Sequence, residues 1–68
     1  MNKKVEDRLI TLLSDNVDQV RSAAAIALGE AGSKKTLIID KLIELTRDGS
    51  PVARAGAATA LGRLLSRE

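Results

Sequence analysis

Two pairs of aspartate and arginine are the residues of this sequence with the clearest potential for chemistry. Asp15 precedes Arg21 by six positions, and Asp48 precedes Arg54 by the same distance. Such a pair could act as a catalytic acid with an arginine that clamps an anion, or form a charge-assisted, bidentate bond near a helix N-terminus. Because the pair occurs twice and no nucleophile accompanies it, the sequence favours the structural interpretation.

The remaining polar residues do not suggest a catalytic or metal site. Asp40 and Glu44 are one helical turn apart and could share a cation, but two carboxylates without a third ligand bind a metal poorly. Lys41 and Arg47 beside them indicate a solvated helix face. The chain has no histidine and no cysteine, and its serines lack a base that could activate them. We therefore expect no enzymatic activity, no metal and no cofactor.

Charge and hydropathy restrict the classes of partner. Eleven basic and nine acidic residues, mixed along the chain, give a net charge of +2. Nucleic-acid binding is a weak alternative, because the sequence has no dense basic stripe and no aromatic residue. The basic residues available for it are Lys3, Lys4, Lys34, Lys35 and Arg67. The longest apolar run, 23–28, is far too short to cross a bilayer, so a soluble, cytoplasmic protein is expected.

The helices that must position these residues follow from an internal repeat with an offset of 33 residues. The offset aligns both aspartate–arginine pairs and several apolar positions: Leu9 with Leu42, Ile10 with Ile43, Ala24 with Ala57, Leu28 with Leu61, and Gly29 with Gly62. A period of this length is typical of a helical hairpin in a solenoid. We predict one domain over 1–68, with repeat 1 at about 3–33 and repeat 2 at about 36–66.

Each repeat divides into two predicted helices of different character. Leucine and isoleucine recur at helical spacing in the first helix, whereas alanine and glycine dominate the second. Small side chains let the second helices approach their neighbours closely, and the large side chains of the first helices fill the remaining gap. Thr36 is predicted to cap the third helix, and Ser50 and Pro51 to begin the fourth. The fold class is all-α, an α–α superhelix of two hairpins.

Two stretches carry a family resemblance. The segments "DNVDQVRSAAAIALGEAG" and "DGSPVARAGAATALGRL" resemble the HEAT-like repeats of the phycobilisome-lyase (PBS lyase) type, with an aspartate turn, Val-Arg, clustered alanines and Ala-Leu-Gly. The resemblance covers 5–65 and implies an interaction surface with no catalysis of its own. It also implies a ladder of bonds within and between repeats, formed by Asp15, Arg21, Asp48 and Arg54. Related hydroxylases bind iron through His-Glu pairs, which this chain lacks.

The second repeat departs from the pattern of the first. Ala53 stands in place of valine, Gly56 in place of alanine, and Leu64 and Leu65 in place of small closing residues. These leucines, together with Leu61, cannot all face one neighbouring helix. Since a two-repeat solenoid leaves apolar surface at its ends, we predict a homodimer that buries the last helix of each chain in a two-fold interface, with or without exchanged hairpins. Higher self-association is the alternative.

One stripe on each alanine-rich helix is predicted to bind a partner protein. The stripe faces away from the first helix of its repeat, onto the concave side on which solenoids bind. Its residues are Ser22, Ile26 and Glu30, with the counterparts Ala55, Thr59 and Arg63. An equally weighted alternative is that Ile26 packs against a neighbouring helix.

The sequence therefore predicts a protein–protein interaction module or scaffold. The principal alternative is an accessory or chaperone-like subunit of an enzyme, comparable to the lyase subunits that the repeat type is named after. Nucleic-acid binding is a third and weaker interpretation. The partner's identity does not follow from the sequence.

Overall fold

A computed structural model describes residues 1–66 of the chain, so Arg67 lies outside the described residues. These residues form four α-helices and no strand. The helices are α1 (Lys3–Leu12), α2 (Asp18–Ala31), α3 (Thr36–Leu45) and α4 (Pro51–Ser66). They form two hairpins, α1–α2 and α3–α4, which pack side by side mainly through α2 and α4. The predicted all-α fold of paired hairpins is confirmed.

The helix ends show where local sequence signals operate. The Asn2 side chain caps α1, because its Oδ1 accepts hydrogen bonds from the backbone N–H groups of Lys4 and Val5. Pro51 is the first residue of α4, as predicted. The predicted cap at Thr36 is wrong: Lys35 occupies the cap position, and no side chain caps α3.

Small residues bring α2 and α4 into close backbone contact. A Cβ atom added to Gly29 would lie 2.7 Å from the Cα of Ala60, and one added to Gly56 would lie 2.8 Å from the Cα of Ser22. Only glycine therefore fits these two positions at the observed helix separation. Gly62, the repeat equivalent of Gly29, has no atom within 4 Å of an added Cβ.

The hydrophobic core lies between the two hairpins and combines leucine and isoleucine side chains with alanines of α2 and α4. Leu28, Ile38 and Leu42 are its largest fully buried side chains. Leucines near the ends of helices and alanines complete it: Leu13, Ala24, Ala25, Leu45, Ala53, Ala57, Ala60 and Leu64. The predicted division, with large side chains on the first helix of each hairpin and small ones on the second, holds for α3, whereas α2 and α4 also contribute the buried leucines Leu28 and Leu64.

Two further expectations concern the surface of the fold. The helical spacing from Val5 to Leu9 and Leu12 predicts Val5 on the apolar face of α1, but its side chain is 52% exposed. Within residues 1–66, no helix is both long and apolar enough to span a membrane. The cytoplasmic location stays a prediction.

Candidate interaction surface

A bidentate ion pair joins the two hairpins at the edge where both aspartate turns lie. The Nε and Nη2 atoms of Arg21, on α2, donate to the two carboxylate oxygens of Asp48, each over 2.9 Å. Both side chains are more than four-fifths buried. The structure therefore brings together the arginine of the first predicted pair and the aspartate of the second.

Within each hairpin, the arginine binds a main-chain carbonyl group and not the carboxylate. Arg21 Nη1 donates to the carbonyl oxygen of Asp15 over 2.8 Å, and Arg54 Nη1 donates to that of Asp48 over 2.7 Å. The aspartate side chains instead stabilise their turns, since Asp15 Oδ1 accepts from the N–H of Val17 and Asp48 Oδ1 from that of Ser50. The ladder bond inside a repeat thus runs through the backbone.

The ion pair shifts the pKa values of its two partners. The hydrogen bonds from Arg21 hold the pKa of Asp48 below its usual value, and the N–H of Ser50 lowers this pKa further. Bonding to Asp48 in turn raises the pKa of Arg21. Both groups are charged at neutral pH, and the guanidinium of Arg21 donates four hydrogen bonds on this edge, two to Asp48 and two to turn carbonyls. The pair is suited to holding the hairpins in register and not to proton transfer.

A polar groove of about 550 Å³ surrounds the ion pair. It is lined by the two turns and the inner side of α3: Leu13, Ser14, Asp15, Asn16, Arg21, Lys41, Glu44, Leu45, Arg47 and Asp48. Asp40 and Glu44 are exposed, as a solvated helix face requires. No group of three or more acidic residues suited to a metal ion occurs among residues 1–66.

The six residues of the predicted partner stripe do not share one environment. Ser22 contradicts the expectation, because it packs against Gly56 of α4 instead of facing away from the chain. Ile26 is half-buried, whereas Ala55 and Thr59 are exposed. Glu30 and Arg63 are partly exposed and form an ion pair over 2.6 Å that links α2 to α4. Ile26, Thr59 and the Glu30–Arg63 pair thus remain as the open α2–α4 face.

The three leucines of the predicted self-association seam are not equivalent. Leu64 belongs to the core and is 4% exposed, Leu61 is half-buried against the core, and Leu65 is 65% exposed. With Lys34 and Ile39, they line a small apolar groove of about 180 Å³ at the C-terminal end of the molecule. Leu64 is buried in the core of its own chain, so a two-fold interface cannot contain all three leucines as predicted.

Glu6 is a buried charged residue that the sequence interpretation missed. Its carboxylate accepts from Ser33 Oγ over 2.9 Å and from Lys35 Nζ over 2.6 Å, and both bonds lower its pKa. These bonds fasten α1 to the α2–α3 loop and occupy Lys35, one of the lysines considered for nucleic acid. The available signal was the helical spacing from Glu6 to Leu9 and Leu13, which places an acidic residue on the buried face of α1.

A second contact that the sequence interpretation missed joins the starts of α2 and α4, the two inner helices of the fold. Ser50 Oγ donates to Asp18 Oδ2 over 2.6 Å, between residues that precede and open α4 and α2 respectively. The same hydroxyl group accepts from the N–H of Val52, which makes Ser50 a cap as well as a link. Side-chain bonds therefore join the two hairpins at both ends of the α2–α4 contact. The Ser50–Asp18 bond lies at the helix starts, and the Glu30–Arg63 ion pair lies near the C-terminal ends of the helices.

Comparison with known protein families gives a match over most of the chain. The model that describes HEAT repeats matches residues 5–68. Searches of curated proteins and of solved structures returned no significant match. HEAT repeats are generally protein-interaction scaffolds and typically have no catalytic activity. With the stacked helical hairpins and the repeated Asp-to-Arg spacing, this match shows that the chain belongs to the HEAT repeat family.

Proposed function

We propose that this chain is a protein-interaction scaffold with no catalysis of its own. The observation that carries the proposal is the family match over residues 5–68, combined with two hairpins that stack through their inner helices. Stacked repeats of this kind offer an extended surface whose exposed positions are free to vary without disturbing the core.

The open α2–α4 face is the surface we assign to the partner. Ile26 offers a half-buried aliphatic side chain, and Thr59 is exposed on the neighbouring helix. The Glu30–Arg63 ion pair lies on the same two helices and presents both signs of charge. This chemistry fits a partner segment that carries an aliphatic side chain beside polar or charged groups.

Site-specific photocrosslinking tests this assignment. A photoreactive amino acid replaces Thr59 on α4 or, as a matched control, Thr11, which is exposed on α1. In an extract of the source cells, we expect discrete protein adducts from position 59 that excess unlabelled protein abolishes and that excess T59E protein does not. Equal adducts from both positions, or none from position 59, would contradict the proposal.

We further propose that the repeats are of the PBS lyase type, which is supported by Val-Arg, the alanine cluster and Ala-Leu-Gly in the first repeat. The accessory-subunit role named with that type predicts stable co-purification with an enzyme or a chromophore-bearing protein. Retention on heparin that falls with salt would instead favour nucleic-acid binding. These two outcomes separate the alternatives from a scaffold that binds other proteins.

A further inference from the structure

The contact between the two hairpins contains a template for a second contact. At this internal junction, Arg21 binds Asp48, and Gly29 lies against Ala60. Each of these residues has an equivalent 33 positions away in the other repeat. The equivalents lie at the two ends of the molecule, where the chain itself supplies no further hairpin within residues 1–66.

The C-terminal end face repeats the part of the first hairpin that enters the junction. Its residues are Ile43, Arg54, Ala55, Ala58, Leu61 and Gly62. Arg54 Nη1 is anchored on a turn carbonyl as Arg21 Nη1 is, but Nε and Nη2 of Arg54 have no partner in the described part of the chain. Leu61 is half-buried where its equivalent Leu28 is fully buried, and Gly62 is open where Gly29 is filled.

The N-terminal end face repeats the part of the second hairpin that enters the junction. Its residues are Val5, Asp15, Val17, Ala23, Ala27 and Ala31. Asp15 Oδ1 accepts the turn N–H as Asp48 Oδ1 does, while Asp15 Oδ2 accepts no bond among residues 1–66. Val5 is 52% exposed, whereas its equivalent Ile38 is fully buried.

The two end faces are complementary in charge and in shape. Placed as the hairpins are placed internally, Arg54 of one copy meets Asp15 of the next, as Arg21 meets Asp48 within one chain. The gap at Gly62 receives Ala27 as Gly29 receives Ala60. Ala23 takes the place of Gly56, where the internal helix separation admits only glycine, so the junction between copies must be wider than the internal one near the start of α2.

We propose that copies of this chain stack head to tail, with the second hairpin of one copy against the first hairpin of the next. This contact is heterologous and continues the solenoid, in contrast to the two-fold seam expected from the last helix. The inference adds a second copy of the chain to the proposed scaffold and rests on it only for the solenoid architecture. A monomer that still gives the Thr59 crosslink would overturn stacking and leave the scaffold function intact.

Complementary blocking variants distinguish head-to-tail stacking from every two-fold arrangement. G62E blocks only the C-terminal end face, where a Cβ atom added to Gly62 has no atom of residues 1–66 within 4 Å. A23E blocks only the N-terminal end face, at an exposed helical position. T11E is the matched control on α1, and circular dichroism checks that each variant is folded.

Mass is measured by sedimentation velocity over a hundredfold range of concentration. We expect the wild type and T11E to grow beyond the 7.2 kDa chain as concentration rises. G62E and A23E should each remain at the mass of one chain, and an equimolar mixture of the two should form a species of two chains. A folded monomeric wild type, a wild type that stops at two chains, or a mixture of blocked variants that stays monomeric would overturn the proposal.

Discussion

Gly29 and Gly62 occupy the same place in the repeat but lie in opposite environments. Gly29 faces the backbone of Ala60 across the internal junction, and a methyl group there would lie 2.7 Å from a Cα atom. Gly62 faces open space on the C-terminal end face. A glycine inside a helix costs about 1 kcal/mol relative to alanine. The internal position compensates for this cost through packing, while the end position does so only when another unit covers it.

The comparison extends to the charged residues. Arg21 binds the carboxylate of Asp48 and two turn carbonyls, whereas Arg54 binds one turn carbonyl and no carboxylate among residues 1–66. Chemically alike positions thus differ in what covers them. Four comparisons, each between variants at internal positions and variants at an end face, measure that difference.

The largest contrast is expected between Leu28 and Leu61. L28A removes a fully buried side chain and should lower the free energy of unfolding by about 2–5 kcal/mol, a large share of the stability of so small a domain. L61A removes a half-buried side chain and should cost about 1–2 kcal/mol in dilute solution. Urea unfolding measures both. Equal costs at low concentration would mean that the end face is already covered within the chain.

The glycine pair should give effects of opposite sign. G29A forces α2 and α4 apart, and overpacking of about 1–3 kcal/mol exceeds the gain in helix propensity of about 1 kcal/mol. G62A meets no atom and should stabilise the dilute chain by up to about 1 kcal/mol. Thermal or urea unfolding of both variants checks this order. Destabilisation by G62A in the monomer would show a contact that the structure lacks.

Energetic coupling should appear at the internal ion pair. R21A and D48A should each lower the urea midpoint, and the double variant should lower it by less than the sum, because the two residues bind each other. The control cycle of R54A and D15A should be additive in dilute solution, since these residues meet only between copies. Strict additivity in the first cycle would mean that the bidentate pair contributes nothing to folding.

A smaller contrast concerns acid. The folded-state pKa of Asp48 and of Glu6 is lowered by their bonds, so their contribution to stability is complete above the unfolded pKa and lost as pH falls through the folded one. Below about pH 4, the wild type should therefore lose stability more steeply than D48N or E6Q. D15N is the control that changes only a turn bond. Unchanged acid slopes in D48N and E6Q would contradict the two pairings.

The sequence predicted the four helices because each signal acted over one or two turns. The spacing of leucine against alanine, and Pro51 at the start of α4, are local properties that tertiary packing reinforced. The ladder residues were identifiable from their repeated spacing. Which arginine binds which carboxylate depends on the relative placement of the hairpins, and the structure pairs Arg21 with Asp48 across them.

The errors have a common physical origin. Leu64 and Ser22 were assigned to outer surfaces because helical periodicity places a residue on a face without identifying the neighbouring helix. The contacts with α4 that bury Ser22 depend on the missing side chain of Gly56. Glu6 was missed because its partners Ser33 and Lys35 lie in a loop, where no periodicity predicts proximity.

The Nε–H resonances of the arginine side chains test most directly whether the two end faces repeat the internal junction. In dilute protein, the Nε–H of Arg21 should exchange slowly with water and that of Arg54 rapidly, because Arg21 Nε binds the carboxylate of Asp48 and Arg54 Nε has no acceptor among residues 1–66. As concentration rises, the Arg54 signal should shift toward that of Arg21 and become protected from exchange with water. This change should occur in the wild type but not in G62E. Association that leaves Arg54 unchanged, or an Arg21 signal as exposed as that of Arg54 throughout, would contradict this repetition of the junction.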